Sequence, residues 1–479
     1  MNYRMVLHTI GKIMLVGAVL LLPALLASVI YGDGCHWAFL ITMAIFAVVG
    51  SVSFIPVKKQ EMFTREGLMI VSLVWILFSI IGGLPFFISG EIPSLVDCFF
   101  ETVSGFTTTG STILTDVEAM SPSLLFWRSF THWIGGMGVL VFAMTIFSQK
   151  DATFIMRAEM PGPKVGKLVS KWKFTVRILY GIYIALTLIE FILLLFGGMN
   201  IFDSLIHTFG TAGTGGFSSK NLSVGYYESA YIDWVIGIFM VLFGINFNIY
   251  YLILAKKILQ ILKNDELKLY LSIVAISTLL ITVNIMDMYS GFGEALRYSF
   301  FQVSSIITTT GYATTDFNLW PVFSQFVLIV LMILGSCAGS TGGGLKIIRV
   351  SILMKNAIKE IKRSISPRSV VTLKNEGKAL DSETINGVCA YFVVYMLVLG
   401  ASVLIVSLDN KDITTAVTAV IATLNNIGPG LGMVGPVGNF SEFDLLSKLI
   451  LSFDMLAGRL ELYPVLMLFT STAWRKKHI

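Results

Sequence analysis

Polar and apolar residues in this chain fall into long blocks. Runs with little or no charge, each long enough to cross about 30 Å of hydrocarbon as a helix, recur from one end to the other. Eight are nearly charge-free: 13–30, 37–57, 67–90, 178–202, 234–255, 269–286, 322–334 and onward, and 385–408. Two more, 123–147 and 445–473, hold a few charges inside otherwise apolar helices, so the pattern predicts an all-α integral membrane protein with ten transmembrane helices. Between them lie shorter apolar segments, 94–106, 202–213, 292–307 and 412–424. A helix of about a dozen residues reaches about 18 Å at 1.5 Å each, too short to cross, and reads as a half-helix that enters the membrane and returns.

Each half-helix runs into a stretch rich in Thr, Gly or Asn: VSGFTTTGSTILTD (103–116), HTFGTAGTGGFSS (207–219), SSIITTTGYATTDF (304–317) and ATLNNIGPGLG (422–432). With Gly110, Gly215, Gly311 and Gly428 in register, the stretches repeat about every hundred residues. The chain therefore divides into two extra N-terminal helices (1–60) and four units of one plan, span, half-helix, glycine stretch, span: 61–150, 174–264, 265–363 and 381–479. Irregular backbone at membrane depth is tolerated only where protein buries it or it lines a watery path. Four such stretches can share one axis, where glycines let carbonyl oxygens turn inward to replace the hydration shell of a potassium-sized ion. The half-helices aim the negative ends of their dipoles at the same place. The expected selectivity filter is Thr108, Thr109 and Gly110; Gly213, Thr214 and Gly215; Thr309, Thr310 and Gly311; and Asn426, Ile427 and Gly428.

Composition agrees with a bilayer as solvent: 55% of residues are hydrophobic, 13% are charged, and the mean hydropathy is +0.80. Lys and Arg collect at 4–12, 57–66, 149–173, 255–268, 346–378 and the terminal WRKKHI, alternating with segments that hold Asp33, Glu91, Asp97, Asp203 and Asp409. Cytoplasmic loops are the basic ones, which puts both termini in the cytoplasm. A signal peptide over the first run is the alternative, but a second span follows at once and the even helix count needs the first. The four cysteines lack metal spacing and read as free thiols. The five histidines are scattered and no HExxH or nucleophile elbow appears, so an enzyme is the weakest reading.

Four span, half-helix, span units behind two extra helices resemble the Trk/Ktr/HKT family of potassium transporters, in its TrkH branch rather than the eight-span KtrB branch. The resemblance covers essentially the whole chain. It implies potassium uptake across a bacterial cytoplasmic (inner) membrane, with glycine rather than serine at Gly110 implying potassium over sodium. It also implies a homodimer embedded in lipid. A TrkA-type cytosolic regulatory subunit is expected to dock on the basic loops 149–173 and 346–378. Bound NAD(H) or ATP/ADP is expected on that partner, with no cofactor in this chain and no nucleic acid. The fourth stretch, NNIGPG, departs from the threonine pattern, so the filter is expected to be asymmetric.

A second irregular stretch, LGSCAGSTGGGLK (334–346), interrupts the span after the third filter segment. Gly335, Gly339, Gly342, Gly343 and Gly344, with Ser340 and Thr341, cannot sustain a helix there. A phosphate-binding loop fails on spacing, because Leu345 separates Gly344 from Lys346 and no Ser or Thr follows. A flexible kink remains open beside the favoured reading, an intramembrane loop (335–344) that blocks the pore, and the resemblance implies a gating loop at this place. Arg459, near the middle of the last span, is expected to act with it, since a lone cation is expensive there and Asp454 and Glu461 are badly spaced as partners; a structural salt bridge to another span is the alternative.

Other polar residues have plainer readings beside functional ones. Arg128 and His132 read as an anchoring pair with carboxylates such as Glu101. Glu190 reads as a buried partner or a proton site, and His207 as packing. Asp116 and Asp316 read as mouth charges that concentrate cations or as solvated loop charges. Asn246 and Asn248 face a cavity or satisfy one another. An ion-coupled secondary transporter, which also uses broken helices at mid-membrane, stays beside the channel reading.

Overall fold

A computed structural model describes residues 2–54, 64–136, 138, 172–368, 372–375 and 378–475. The basic segment 149–171 and most of 57–66, with the last residues of the terminal one, lie outside them. Among the described residues, six helices are long and apolar enough to cross a membrane: Tyr3–Tyr31, His36–Ser53, Thr64–Ile88, Arg177–Phe196, Asp265–Met288 and Ser382–Asp409.

Among the described residues the other four predicted spans are shorter or broken, and the one over 123–147 runs beyond them after Gly136. Ala230–Phe243 and Phe247–Leu254 meet at a bend of 90°, where Asn246 caps the second piece by accepting from the Asn248 amide at 2.9 Å. Pro122–Gly136 has 15 helical residues, Val322–Leu334 has 13 and Leu445–Arg459 has 15. At 1.5 Å per residue the last of these reaches about 22 Å. It stops because Glu461 and Leu462 are left-handed, at φ 55° and 66°, and Pro464 follows. Arg459 therefore closes a helix rather than standing inside one.

The four short helices expected as half-helices form close to their expected bounds: Leu95–Phe106, Ile201–Gly213, Phe292–Ile307 and Ile413–Leu424. Three start on a side-chain cap, with Ser94, Asn200 and Asp412 accepting from the amides of Asp97, Asp203 and Thr415. This is why a polar or acidic residue opens these segments in the sequence.

Packing joins the units in a circle. One apolar cluster runs from the N-terminal helices (Met14, Phe39, Phe46) through the first unit (Trp75, Phe78, Phe106, Trp127) to the last (Leu451, Met455). A second joins the third unit (Val303, Ile307, Leu331) to Ile421 and Ile427 of the fourth. The two N-terminal helices touch closely at Gly11 and Gly50, where a Cβ on Gly11 would stand 2.7 Å from the Gly50 carbonyl oxygen. Small residues are the usual means of such contact in lipid, where the hydrophobic effect does not drive helices together.

Candidate ion-conduction site

Each half-helix ends in the same backbone figure. Thr108, Thr214, Thr309 and Asn426 are left-handed, at φ 55°, 56°, 59° and 56°. Their amides bond to the carbonyl three residues back at 3.1, 3.0, 3.1 and 3.2 Å, and the next amides to the carbonyl five back at 2.9, 2.8, 2.8 and 2.8 Å. Two residues after each left-handed position comes a glycine at strongly positive φ: Gly110 (84°), Gly216 (79°), Gly311 (87°) and Gly428 (101°). The second segment is thus in register one residue later than the glycine alignment predicts. Gly213 closes its helix, and Thr214, Gly215 and Gly216 occupy the places of Thr108, Thr109 and Gly110.

The four figures close into one ring. A Cβ built on Gly110 would collide with the carbonyl oxygen of Gly215, one on Gly216 with that of Thr310, and one on Gly311 with that of Ile427. One on Gly428 would stand 2.8 Å from the Thr109 carbonyl oxygen, which returns the circuit to the first segment. Every junction brings a glycine against the carbonyl of the residue before the next glycine. The ring is tied by Asn426 Nδ2 donating to Thr109 Oγ1 at 3.0 Å and by Ser111 Oγ donating to the Gly428 carbonyl at 3.2 Å. It is not four-fold in its side chains. Thr107–Thr109 and Thr308–Thr310 share hydroxyl bonds of 2.8 and 2.7 Å, whereas the fourth segment leans on Tyr395, whose hydroxyl accepts from Asn425 Nδ2 at 2.9 Å.

All four ring glycines floor a cavity of about 110 Å³ whose walls include Ser111, Thr115, Lys220, Asn221 and Asn439. Among the described residues no Asp or Glu lines it, and the expected mouth charges Asp116 and Asp316 stand outside. Asp116 accepts from Asn221 Nδ2 at 2.8 Å, a bond that holds its carboxyl below the ordinary value, and Asp316 accepts from the Asn318 amide. Lys220 pairs with Glu118 at 3.6 Å.

At the cavity wall, Arg128 Nε donates to Glu101 at 2.6 Å, and its guanidinium lies 3.4 Å from the centre of the Phe217 ring. Glu101 also accepts from the Thr112 hydroxyl and the Ile113 amide at 2.9 and 3.0 Å. This anchor ties the first half-helix to the turns after the first and second segments. His132 does not join it; its ring stacks on Phe217 with centroids 4.1 Å apart. His207 spans Asp203 and Ser218 at 2.8 and 2.9 Å, a packing role. Glu190 is fully buried in the span Trp172–Phe196, and neither carboxyl oxygen has a hydrogen-bond partner among the described residues.

The loop 335–344 lies against the face of the ring opposite the cavity. Gly343 N donates to Thr309 Oγ1 at 2.6 Å, and a Cβ on Gly342 would stand 2.7 Å from the Thr308 carbonyl oxygen. Gly335, Gly339 and Gly344 are left-handed, at φ 70°, 71° and 76°. The loop is held from outside: Cys337 N reaches the Gly244 carbonyl, Ala338 N reaches Glu266, and the Gly339 carbonyl accepts from Phe247 N at 3.0 Å. Arg459 donates to the carbonyl oxygens of Thr341 at 2.7 Å, Gly135 at 2.5 Å and Gly136 at 3.0 Å. These three partners are backbone carbonyls, and the loop hydroxyls donate elsewhere: Ser340 to the Cys337 carbonyl and Thr341 to that of Phe243. Asp454 takes Ser402, and Glu461 takes Arg349.

Short helices converging on a closed ring of backbone, within a sheath of apolar helices, define a multi-pass membrane transport protein. The profile of the family described as TrkH, cation transport protein, matches residues 35–286 and 269–476. The chain is 37% identical over 489 residues to the Trk system potassium uptake protein TrkH of Escherichia coli K12, covering 99% of this chain and 100% of that protein. It is 33% identical to the TrkH of Halomonas elongata over 99% of its length. The crystal structure of the potassium transporter TrkH from Vibrio parahaemolyticus superposes with a TM-score of 0.89 at 32% identity, covering 99% of this chain and 100% of that one. This chain belongs to the TrkH family of cation transport proteins, and is not an enzyme.

Proposed function

We propose that the chain carries potassium into the cell across the bacterial cytoplasmic membrane, with both termini in the cytoplasm. The ion passes through the ring made by Thr108–Gly110, Thr214–Gly216, Thr309–Gly311 and Asn426–Gly428. The observation that carries this reading is the closed circuit of glycine-to-carbonyl contacts, which brings one backbone carbonyl from each of the four segments together within a single chain. Carbonyl oxygens in a ring substitute for the hydration shell of a large monovalent cation. The C-terminal ends of four half-helices add negative potential there. The names of the relatives support potassium as the ion.

The loop 335–344 closes the pathway on the side away from the cavity, and Arg459 pins it. A cytosolic nucleotide-binding subunit of the TrkA type, carrying NAD(H) or ATP/ADP, controls that closure through the basic cytoplasmic segments. The membrane protein works as a homodimer with one pathway in each protomer. The direct test is purified protein in vesicles loaded with potassium chloride and diluted into choline chloride at the same pH. A membrane potential set by the potassium gradient, without any imposed sodium or proton gradient, is expected. Transport that appears only with a sodium or proton gradient would replace the channel reading with a coupled transporter.

A further inference from the structure

We infer that Arg349 and Glu461 form a latch that holds the loop 335–344 closed, as positioning residues for the gate. The inference rests on the gating role proposed above for that loop. The loop begins where helix Val322–Leu334 ends and returns to regular structure at helix Ile347–Ile365. At the return, Lys346 is left-handed at φ 72°, and its ammonium bonds back to the Gly342 carbonyl. Arg349 stands in the first turn beyond. Its guanidinium donates to Glu461, reaches the Leu345 carbonyl at 3.3 Å and lies 4.2 Å from the centre of the Tyr391 ring.

Glu461 sits in the break that ends helix Leu445–Arg459, two residues beyond the arginine that holds the Thr341 carbonyl. One ion pair therefore joins the far end of the loop to the segment that carries Arg459. The pair is withdrawn from water, with 8% of the Arg349 side chain and 11% of the Glu461 side chain exposed. Withdrawal of the loop must break this pair or drag the end of the last helix with it. From the latch, helix Ile347–Ile365 runs on to an exposed end carrying Lys362 and Arg363, which gives a force applied from the cytoplasm a direct line to the loop. Breaking a buried charged pair by removing one partner is costly, whereas replacing both by neutral groups is far better tolerated. The neutral double replacement thus separates latching from folding.

The experiment is single-channel recording of purified full-length protein in planar bilayers, without any partner, for the parent, Glu461→Gln, Arg349→Gln/Glu461→Gln and the exchange Arg349→Glu/Glu461→Arg. Open probability is expected to rise about tenfold in the first two variants, the size expected from losing one charged hydrogen bond that exists only in the closed state. The exchange should fall back toward the parent, and unitary conductance and potassium preference should not change. Unchanged or lower open probability in the double variant, in protein that melts and elutes like the parent, overturns the latch. If Arg459→Ala opens the pathway while the double variant does not, the latch fails and the gate stands. If neither does, the gate reading itself fails.

Discussion

Arg459→Ala removes a guanidinium that bridges the loop and the helix Pro122–Gly136. Of its bonds to described carbonyls, those to Gly135 and Gly136 stay within the wall, whereas the one to the Thr341 carbonyl at 2.7 Å holds the loop in place. A hydrogen bond from a charged donor contributes about 1.5–3 kcal/mol, so its loss from the closed state alone shifts the opening equilibrium about ten- to hundredfold. A unit charge about 10 Å from a passing ion adds a repulsion of about 1.7 kcal/mol at an effective dielectric near 20. The two effects are of one size and one sign, so potassium or rubidium uptake by vesicles should rise at least about tenfold, with the preference for potassium over sodium unchanged. Arg459→Lys divides them. A compact ammonium keeps the charge but cannot span three carbonyls as a planar fork does; an intermediate flux is expected. Lower flux, or altered ion preference, in a folded and inserted Arg459→Ala protein would refute the reasoning and leave Arg459 as a structural tie.

Other perturbations report on separate parts. Gly216→Ala should damage ion selectivity more than Gly215→Ala in paired flux assays, because the added methyl at Gly216 meets the Thr310 backbone while that at Gly215 meets the side-chain ring of His132; equal effects would argue for the earlier register. Glu101→Gln leaves Arg128 buried without its carboxylate, and a loss of about 3–5 kcal/mol should appear as a lower melting temperature in detergent. Dimers mixing normal and ring-disrupted chains should keep one conductance of normal size, and complete loss would mean that the pathway is shared.

Much of this arrangement is visible in the sequence, because it rests on local patterns. Apolar length marks the long spans, and a capping side chain before a dozen apolar residues marks three of the half-helices. Thr-Thr-Gly after two of them announces the ring. The second segment hides its register because GTGG offers glycines at 213, 215 and 216, and only the left-handed turn at Thr214 decides among them. Breaks are harder to see than runs. The 90° bend before Phe247 and the end of the last long helix at Arg459 fall in segments apolar enough to read as continuous spans. The partners of Arg459 are carbonyl groups, which every residue has and no sequence pattern reveals. The pair Arg349–Glu461 lies 112 residues apart and is made by the fold alone. Asp116 and Asp316 have the right sequence position for a mouth, yet local hydrogen bonds turn them to capping their own turns.

That four segments of one chain form a potassium-selective ring is most directly tested by the reversal potential of purified protein with potassium on one side of a bilayer and sodium on the other. Gly110 is the position to change, since its φ of 84° and the Gly215 carbonyl beside it leave no room for a side chain. The parent should reverse far from zero, on the side that marks potassium as the permeant ion. Gly110→Ser should move that potential toward zero by about 60 mV for each tenfold of selectivity lost. A parent that reverses near zero, or a Gly110→Ser protein that conducts with the parent's potential, would contradict the ring as the selective element.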